Sequence, residues 1–110
     1  MTRTTGLGWV TVAGLGPGAE AQVTPEVTLA LDEATDVVGY IPYVARVTPR
    51  PGLVLHASDN RVELDRAGLA LDLAAAGRRV VIVSSGDPGV FAMASALFEA
   101  LEARGNPDAA

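Results

Sequence analysis

Two glycine-rich stretches contain the residue types best suited to holding a ligand against the backbone. GLGPG at 14–18 follows an apolar run at 9–13, and SSGDPG at 84–89 follows the apolar run VVIV at 80–83. Small residues let a ligand approach the main chain, and open α/β sheets bind ligands beyond the carboxyl ends of their strands. Each stretch alone is compatible with an ordinary turn. Two of them in one chain predict a shared cleft.

The first stretch also fits the dinucleotide pattern G-x-G-x-x-G/A in form. Pro17 removes a backbone N–H donor from this loop, and the predicted second strand ends in Gly39-Tyr40, where an acid would be needed to bind ribose. The chain has no lysine, so a P-loop is excluded. These departures disfavour a nicotinamide cofactor.

Composition excludes several further classes of site. The 110 residues carry a net charge of −5, which argues against a nucleic-acid partner. The chain has no cysteine and one histidine, so thiolate and histidine-rich metal sites are excluded. No apolar run approaches the roughly 18 residues of a membrane span, so we expect no membrane association and a cytoplasmic location. Because 49% of the residues are hydrophobic, we expect some apolar surface to be covered by a partner or by a further segment.

Apolar runs and helix signals alternate along the chain. Thr24-Pro25 is typical of a helix start, and Asn60 with Glu63 resembles a capping box. The predicted strands are 9–13, 36–40, 53–56 and 80–83, the predicted helices are 25–34, 60–76 and 90–104, and 41–52 is predicted to be an irregular connection. Because the connections are too long for hairpins, this order predicts an α/β fold in which helices flank a parallel sheet. We expect a loose N-terminus at 1–8, one domain at 9–105 and a tail at 106–110.

Five ordered motifs give the chain from Gly8 to Glu102 a specific resemblance. They are VAGLGPG at 12–18, TP at 24–25, VVGYIPYV at 37–44, SDNRVELDRA at 58–67 and VSSGDPGVFAMA at 83–94. Together they resemble the tetrapyrrole (corrin/porphyrin) methylase family.

The resemblance implies a fold and a reaction. It implies the N-terminal domain of a two-domain α/β fold, with S-adenosylmethionine between the domains and a tetrapyrrole in a neighbouring trough. The last three motifs are most similar to members that methylate precorrin-3B at ring carbon 17, with ring contraction, in cobalamin biosynthesis. The expected partners are therefore the tetrapyrrole, the missing second domain and a second copy in a homodimer. The alternatives are methylation at another precorrin position and a non-catalytic small-ligand-binding α/β domain.

The resemblance also implies site residues on both sides of the cleft. The residues expected to border the methionine part of the donor are Gly86, Asp87, Pro88, Gly89, Val90 and Phe91. The residues expected on the tetrapyrrole side are Gly16, Pro17, Gly18 and, as a partner for a carboxylate, Arg61. Asp87 has helix capping as its alternative role, and Phe91 also fits the inward side of a helix.

Ring contraction requires proton transfers, which directs attention to groups at strand ends. The candidates for catalysis are Asp59, Asn60 and Tyr40, with Tyr43 in a similar position. Helix capping is an equally good explanation of the first two, and packing is the commoner role of the tyrosines.

The remaining charged residues divide into substrate partners and surface residues. Arg46, Arg50 and Arg66 are further candidate partners for substrate carboxylates. Arg78 and Arg79 precede a strand at its opposite end and are expected to face solvent. His56 is expected to be a packed or surface residue rather than a catalyst.

Overall fold

The computed structural model describes residues 2–3, 8–15, 24–59, 63–84 and 87–104. Its strands are β1 (Thr2–Arg3), β2 (Trp9–Gly14), β3 (Asp36–Tyr40), β4 (Val54–Ser58) and β5 (Arg79–Ser84). Its helices are α1 (Pro25–Glu33), α2 (Ile41–Val44), α3 (Glu63–Ala75) and α4 (Asp87–Arg104). None of these helices in the described part of the chain has the length and hydropathy needed to cross a bilayer.

The five strands form one sheet in the order β1-β2-β5-β3-β4. The β2, β5, β3 and β4 strands are parallel to one another, which confirms the predicted four-stranded parallel sheet. The expectation of a loose start at 1–8 is wrong at Thr2–Arg3, which pairs antiparallel with Trp9 and Val10. A strand of two residues is too short to show an alternating pattern in the sequence. It forms because the outer edge of β2 offers unpaired backbone groups to which it can bond.

The central strand β5 is buried on both faces, since Val80 to Val83 are each at most 2% exposed. Helices α1 and α2 pack on the face that includes Val81 and Val83, and α3 and α4 pack on the face that includes Val80 and Ile82. The domain is therefore a three-layer α/β sandwich with the sheet in the middle.

Two of the predicted helix boundaries are confirmed by their capping bonds. The Oγ1 of Thr24 accepts a bond from the Val27 N–H at 3.3 Å, with Pro25 at the first helical position of α1. After α3, Gly77 has φ +90°, and Arg78 N donates to Leu73 O at 3.1 Å. This 6→1 bond, with Gly77 in the left-handed region, is the Schellman arrangement.

The other boundaries differ in their details. The α4 helix begins at Asp87, so Asp87-Pro88-Gly89 forms its first turn rather than a loop ending at Val90. Proline is tolerated there because first-turn N–H groups have no partner within the helix. The irregular connection at 41–52 contains the short helix α2, again with proline in its first turn.

We expect Gly8→Ala to destabilise the domain by about 1–3 kcal/mol through overpacking. A Cβ at Gly8 would overlap the carbonyl oxygen of Arg78 and lie 2.8 Å from Ala74 O, and neither backbone atom can move without moving its element. Equilibrium urea unfolding measures the change.

The matched control is Gly68→Ala in α3, where the nearest atom to a new Cβ is Arg104 Nη2 at 3.9 Å. We expect this change to stabilise the domain by about 0.8–1 kcal/mol, because alanine is the better helix former. Equal effects of the two substitutions would show that the contact around Gly8 is not as tight as the structure places it.

Candidate functional site

The topology of the sheet defines a crevice between the carboxyl ends of β2 and β5. The chain leaves β2 toward α1 on one face, and it leaves the neighbouring β5 toward α4 on the other face. Neighbouring strands whose connections go to opposite faces form the switch point at which open α/β sheets bind ligands. The glycine-rich stretches at 14–18 and 84–89 begin at these two strand ends.

The structure brings the starts of the two stretches into direct contact. Gly14 is paired with Ser84 across the β2–β5 ladder, and Leu15 N donates to Ser84 O at 2.8 Å. Leu15 is buried, and its carbonyl accepts a bond from Arg46 Nη2 at 2.9 Å. Arg46, expected as a substrate partner, therefore holds the start of the first stretch in place.

The residues expected at the donor side lie at the start of α4 or just before it. Gly86 lies outside the described residues, and Asp87 and Pro88 open the helix. Gly89 and Val90 follow in the same turn and are partly buried. The N–H groups at the start of this 18-residue helix have no partner within the helix and begin three residues after the end of β5, where they favour an anionic group.

Phe91 does not lie on the inward side of α4, so that alternative is wrong. Phe91 is 75% exposed, whereas Met93 is buried. Two further apolar residues of α4 are exposed, Phe98 at 65% and Leu101 at 49%. Phe91, Phe98 and Leu101 follow a helical spacing and form an apolar stripe. The stripe adjoins a groove of about 370 Å³ between β2 and α4.

The residues expected on the tetrapyrrole side, Gly16, Pro17, Gly18 and Arg61, all lie outside the described ranges, as does the catalytic candidate Asn60. Their roles stay predictions from the resemblance. The structure does describe Tyr40, which is the last residue of β3, and Asp59, which directly follows the neighbouring strand β4.

A polar row crosses the sheet at its carboxyl end. The register pairs Gly14 with Ser84 and Tyr40 with Ser58, and it places Tyr40 beside Ser84 because Gly39 lies opposite Val83. Ser84 is 5% exposed, and its Oγ has no hydrogen-bond partner among the residues that the structure describes. A buried hydroxyl without a partner is costly, so Ser84 is a candidate ligand contact.

Sequence reasoning did not single out Ser84, although a signal was present. The change from four apolar residues to serine at the end of a buried strand marks the point where the strand meets a polar environment. Only the register shows that this serine shares a row with Tyr40.

Arg66 connects the ends of β3 and β4. Its guanidinium carbon lies 5.8 Å from the centre of the Tyr40 ring, its Nε donates to Ser58 Oγ at 3.3 Å and its Nη2 donates to Asp59 O at 2.7 Å. Tyr40 also meets Tyr43 edge to face, with ring centres 5.5 Å apart. Arg66 was expected as a substrate partner, and the structure gives it these contacts within the protein instead.

Arg50, also expected as a substrate partner, caps the end of α1. Its Nη2 lies within 3.0 Å of the carbonyl oxygens of Leu31, Asp32 and Ala34. A cation at this position satisfies carbonyl groups that have no partner within the helix. Its role is therefore structural.

A second polar cluster lies near the opposite, amino end of the sheet, centred on the buried Asp36. Its Oδ2 is 2.7 Å from His56 Nε2, and its Oδ1 is 2.8 Å from Arg78 Nε and 2.7 Å from Thr35 Oγ1. Arg78 was expected to face solvent; 40% of its side chain is exposed, but its guanidinium pairs with the buried carboxylate at the start of β3, which needs a partner. His56 has the packed role that was expected. Arg79 is exposed and donates from Nε to Glu33 O at 2.5 Å.

The hydrogen bonds determine the titration of Asp36. Burial by itself raises the pKa of this carboxyl, but bonds from Thr35, His56 and Arg78, together with the Arg78 charge, outweigh burial and hold the pKa below its ordinary value. The cluster is on the other side of the domain from the crevice, so we assign it to stability. Within the described ranges, no group of three acidic or histidine side chains could hold a metal ion.

Comparison with known proteins then establishes the family. The family model of the Tetrapyrrole (Corrin/Porphyrin) Methylases matches residues 10–107. The chain belongs to the tetrapyrrole methylase family. This membership agrees with the crevice at the switch point and with both glycine-rich stretches beside it.

Several family members are similar to this chain in sequence. A precorrin-3B C(17)-methyltransferase from Sinorhizobium sp. is 53% identical over 95 residues, which are 86% of this chain and 37% of that protein. The cobalamin biosynthesis protein CobIJ of Mycobacterium tuberculosis is 53% identical over 86% of this chain and 19% of its own length. A probable cobalt-factor III C(17)-methyltransferase of Salmonella typhimurium is 39% identical over 92 residues.

A solved structure of the methyltransferase CobJ has the same fold. It superposes with a TM-score of 0.81 at 81% sequence identity, covering 87% of this chain and 40% of that one. The chain therefore spans about two-fifths of the length of this family member. The N-terminal-domain assignment agrees with this coverage.

We expect Asp36→Asn to lower the free energy of unfolding at pH 7 by about 1.5–3 kcal/mol, because charge-assisted bonds are lost in a buried site. Since the folded pKa lies below the unfolded value of about 3.9, the ionised carboxylate stabilises the fold above that value. This contribution is lost as pH falls through the folded pKa. The difference between variant and wild type should therefore shrink below about pH 4. Urea unfolding at a series of pH values measures it.

Asp72→Asn is the matched control, since Asp72 pairs with Arg104 at 2.7 Å but is 67% exposed. We expect a loss of about 0–1 kcal/mol from this surface pair. A difference at Asp36 that does not depend on pH would contradict the role assigned to its charge.

Proposed function

We propose that this chain is the N-terminal domain of an S-adenosylmethionine-dependent C-methyltransferase of cobalamin (corrin) biosynthesis. The substrate is precorrin-3B, methylated at ring carbon 17 with ring contraction. The observation that carries the proposal is the crevice between β2 and β5, where both glycine-rich stretches begin in a chain of this family. The name of the relative from Sinorhizobium sp., which is 53% identical, supports the substrate and the carbon.

The residues of the crevice suit the donor. S-adenosylmethionine supplies an electrophilic methyl group on a sulfonium, and its methionine part carries a carboxylate. The first turn of α4 offers free N–H groups and a favourable dipole to an anion, and Ser84 Oγ offers a buried hydroxyl without a partner among the described residues. We therefore place the methionine part along 84–91, as the sequence motif implies.

Methyl transfer needs alignment more than it needs a reactive side chain. Sulfur, methyl and accepting carbon must lie in line, and positioning supplies most of the acceleration. A rigid sheet edge with two short loops is suited to that task. Asp59, Asn60 and Tyr40 are our candidates for the proton transfers of ring contraction, with Gly16, Pro17, Gly18 and Arg61 beside the tetrapyrrole.

We also propose that a second domain, beyond the residues of this chain, takes part in binding the donor. The second domain would complete the donor pocket, so this chain by itself would bind weakly and would not catalyse. The apolar stripe on α4 and the groove beside it agree with the expectation of surface that another segment covers. A homodimer and a cytoplasmic location stay predictions.

A related reaction is the second candidate function. Relatives named for cobalt-factor III are 33–39% identical to this chain, compared with 53% for the precorrin-3B enzyme. The lower identity makes cobalt-factor III, or another precorrin position, the less favoured acceptor. The non-catalytic binding domain remains the alternative from another class.

Calorimetric titration with S-adenosylhomocysteine tests the donor site directly. We expect binding to the full-length protein, weak or undetectable binding to this chain, and no binding of NADH to either. Turnover of methyl-labelled donor with precorrin-3B or cobalt-factor III then identifies the acceptor. Tight binding to the isolated chain would favour a self-contained binding domain, and a preference for NADH would overturn the proposal.

We expect Asp87→Ala in the full-length protein to weaken S-adenosylhomocysteine binding about tenfold while changing stability little. The carboxylate of Asp87 is proposed to contact the donor, and a charged hydrogen bond contributes about 1.5–3 kcal/mol. Calorimetry and thermal unfolding measure the two quantities separately. Glu99→Ala removes an exposed carboxylate from the same helix and is the control. A loss of stability with unchanged affinity would instead establish Asp87 as a helix cap.

A further inference from the structure

We propose that Arg66 is a positioning residue for Tyr40, and that the two together orient the acceptor at the carboxyl end of β3. The inference rests on the proposed function and concerns the same site. Arg66 is the fourth residue of α3, whereas Tyr40 is the last residue of β3, so the contact joins two elements.

Two hydrogen bonds hold the Arg66 guanidinium in place against the Tyr40 ring. Its Nη2 bond to Asp59 O at 2.7 Å and its Nε bond to Ser58 Oγ at 3.3 Å attach it to the end of β4. The β4 strand is paired in register with β3, so Ser58 and Tyr40 are opposite each other. The cation over the Tyr40 ring is therefore held by the strand next to it.

Tyr40 is held on a second side by Tyr43. The two rings meet at 78° with their centres 5.5 Å apart, and Tyr43 is anchored against the core on the α1 and α2 face. A ring with a cation on one side and an aromatic edge contact on another has few orientations left. Tyr40 is still 36% exposed and lies beside Ser84 at the crevice. It is thus both oriented and accessible to a ligand.

The exposure of the shorter of the two Arg66 bonds favours a positioning role over a stabilising one. The bond to Asp59 O is at the exposed surface, where single polar contacts contribute little to the stability of a fold. Small errors in position, by contrast, can change rates by about a hundredfold. Loss of Arg66 should therefore affect turnover more than unfolding.

Lysine is not expected to replace Arg66. The contacts use two nitrogens of one planar group and its flat face, and an ammonium on a flexible stem provides neither. Tyr40→Leu removes the ring. Together with the lysine variant, it distinguishes the ring contact from the charge.

The experiment uses the full-length protein with precorrin-3B as acceptor, and compares Arg66→Ala, Arg66→Lys, Tyr40→Leu and the double variant Arg66→Ala/Tyr40→Leu. We expect kcat to fall about tenfold or more in each single variant, with the dissociation constant of S-adenosylhomocysteine unchanged within about twofold. The double variant should be no worse than Tyr40→Leu, because the arginine acts through the ring. Arg104→Ala, which removes an exposed arginine bonded to α3, should leave kcat unchanged.

Two results would overturn the inference. The first is an unchanged kcat in Arg66→Ala. The second is a double variant whose loss of kcat equals the product of the losses in the two single variants.

A second measurement distinguishes this inference from the proposed function. If the wild-type protein methylates neither precorrin-3B nor cobalt-factor III, the proposed function fails. The contact is then tested by NMR of ring-labelled tyrosine. We expect the Tyr40 ring signals to shift in Arg66→Ala and Arg66→Lys but to keep their positions in Arg104→Ala. Unchanged Tyr40 signals in both Arg66 variants would show that the arginine does not position the ring.

Discussion

Burial of β5 on both faces is the constraint on which the rest of the domain depends. A strand whose residues 80–83 have almost no exposed surface needs helices above and below it and a paired strand on each side. The chain meets this requirement by placing its first two helices, α1 and α2, on one face of the sheet and its last two, α3 and α4, on the other. The same requirement opens the crevice, because β2 and β5 are adjacent while their helices lie on different faces. The core and the candidate site therefore have one cause.

The two ends of the sheet have different electrostatic characters. At the amino end, the carboxylate of Asp36 is buried but fully engaged by Thr35, His56 and Arg78, which ties the start of β3 to β4 and to the segment before β5. At the carboxyl end, Ser84 keeps a buried hydroxyl without a described partner, and the Tyr40 ring stays partly exposed. Satisfied groups stabilise the fold, whereas unsatisfied or exposed groups are available to a ligand.

The arginines illustrate why residue type does not determine role. Arg46, Arg50, Arg66 and Arg78 all bond protein oxygens, although three of them had been expected to bind substrate and the fourth to face solvent. Long side chains reach several positions from one Cα, so their partners follow from the packing of separate elements. Arg50 and Arg78 therefore have structural roles, whereas Arg46 and Arg66 can affect a ligand only indirectly, through the loop start and the ring that they contact.

The sequence by itself determined the four parallel strands, the cap at Thr24, the end of α3 at Gly77, the family and the two glycine-rich stretches. These features are local or motif-based, since period, capping and turn chemistry are encoded in residues a few positions apart. Only the tertiary structure decided the strand order, the pairing of Gly14 with Ser84, the position of Tyr40 beside Ser84 and the partners of the arginines. The structure also shows that α4 begins at Asp87 rather than Val90, and that the Phe91 side chain is exposed. Those features depend on contacts between residues far apart in the chain, and no local pattern specifies which strand will lie beside which.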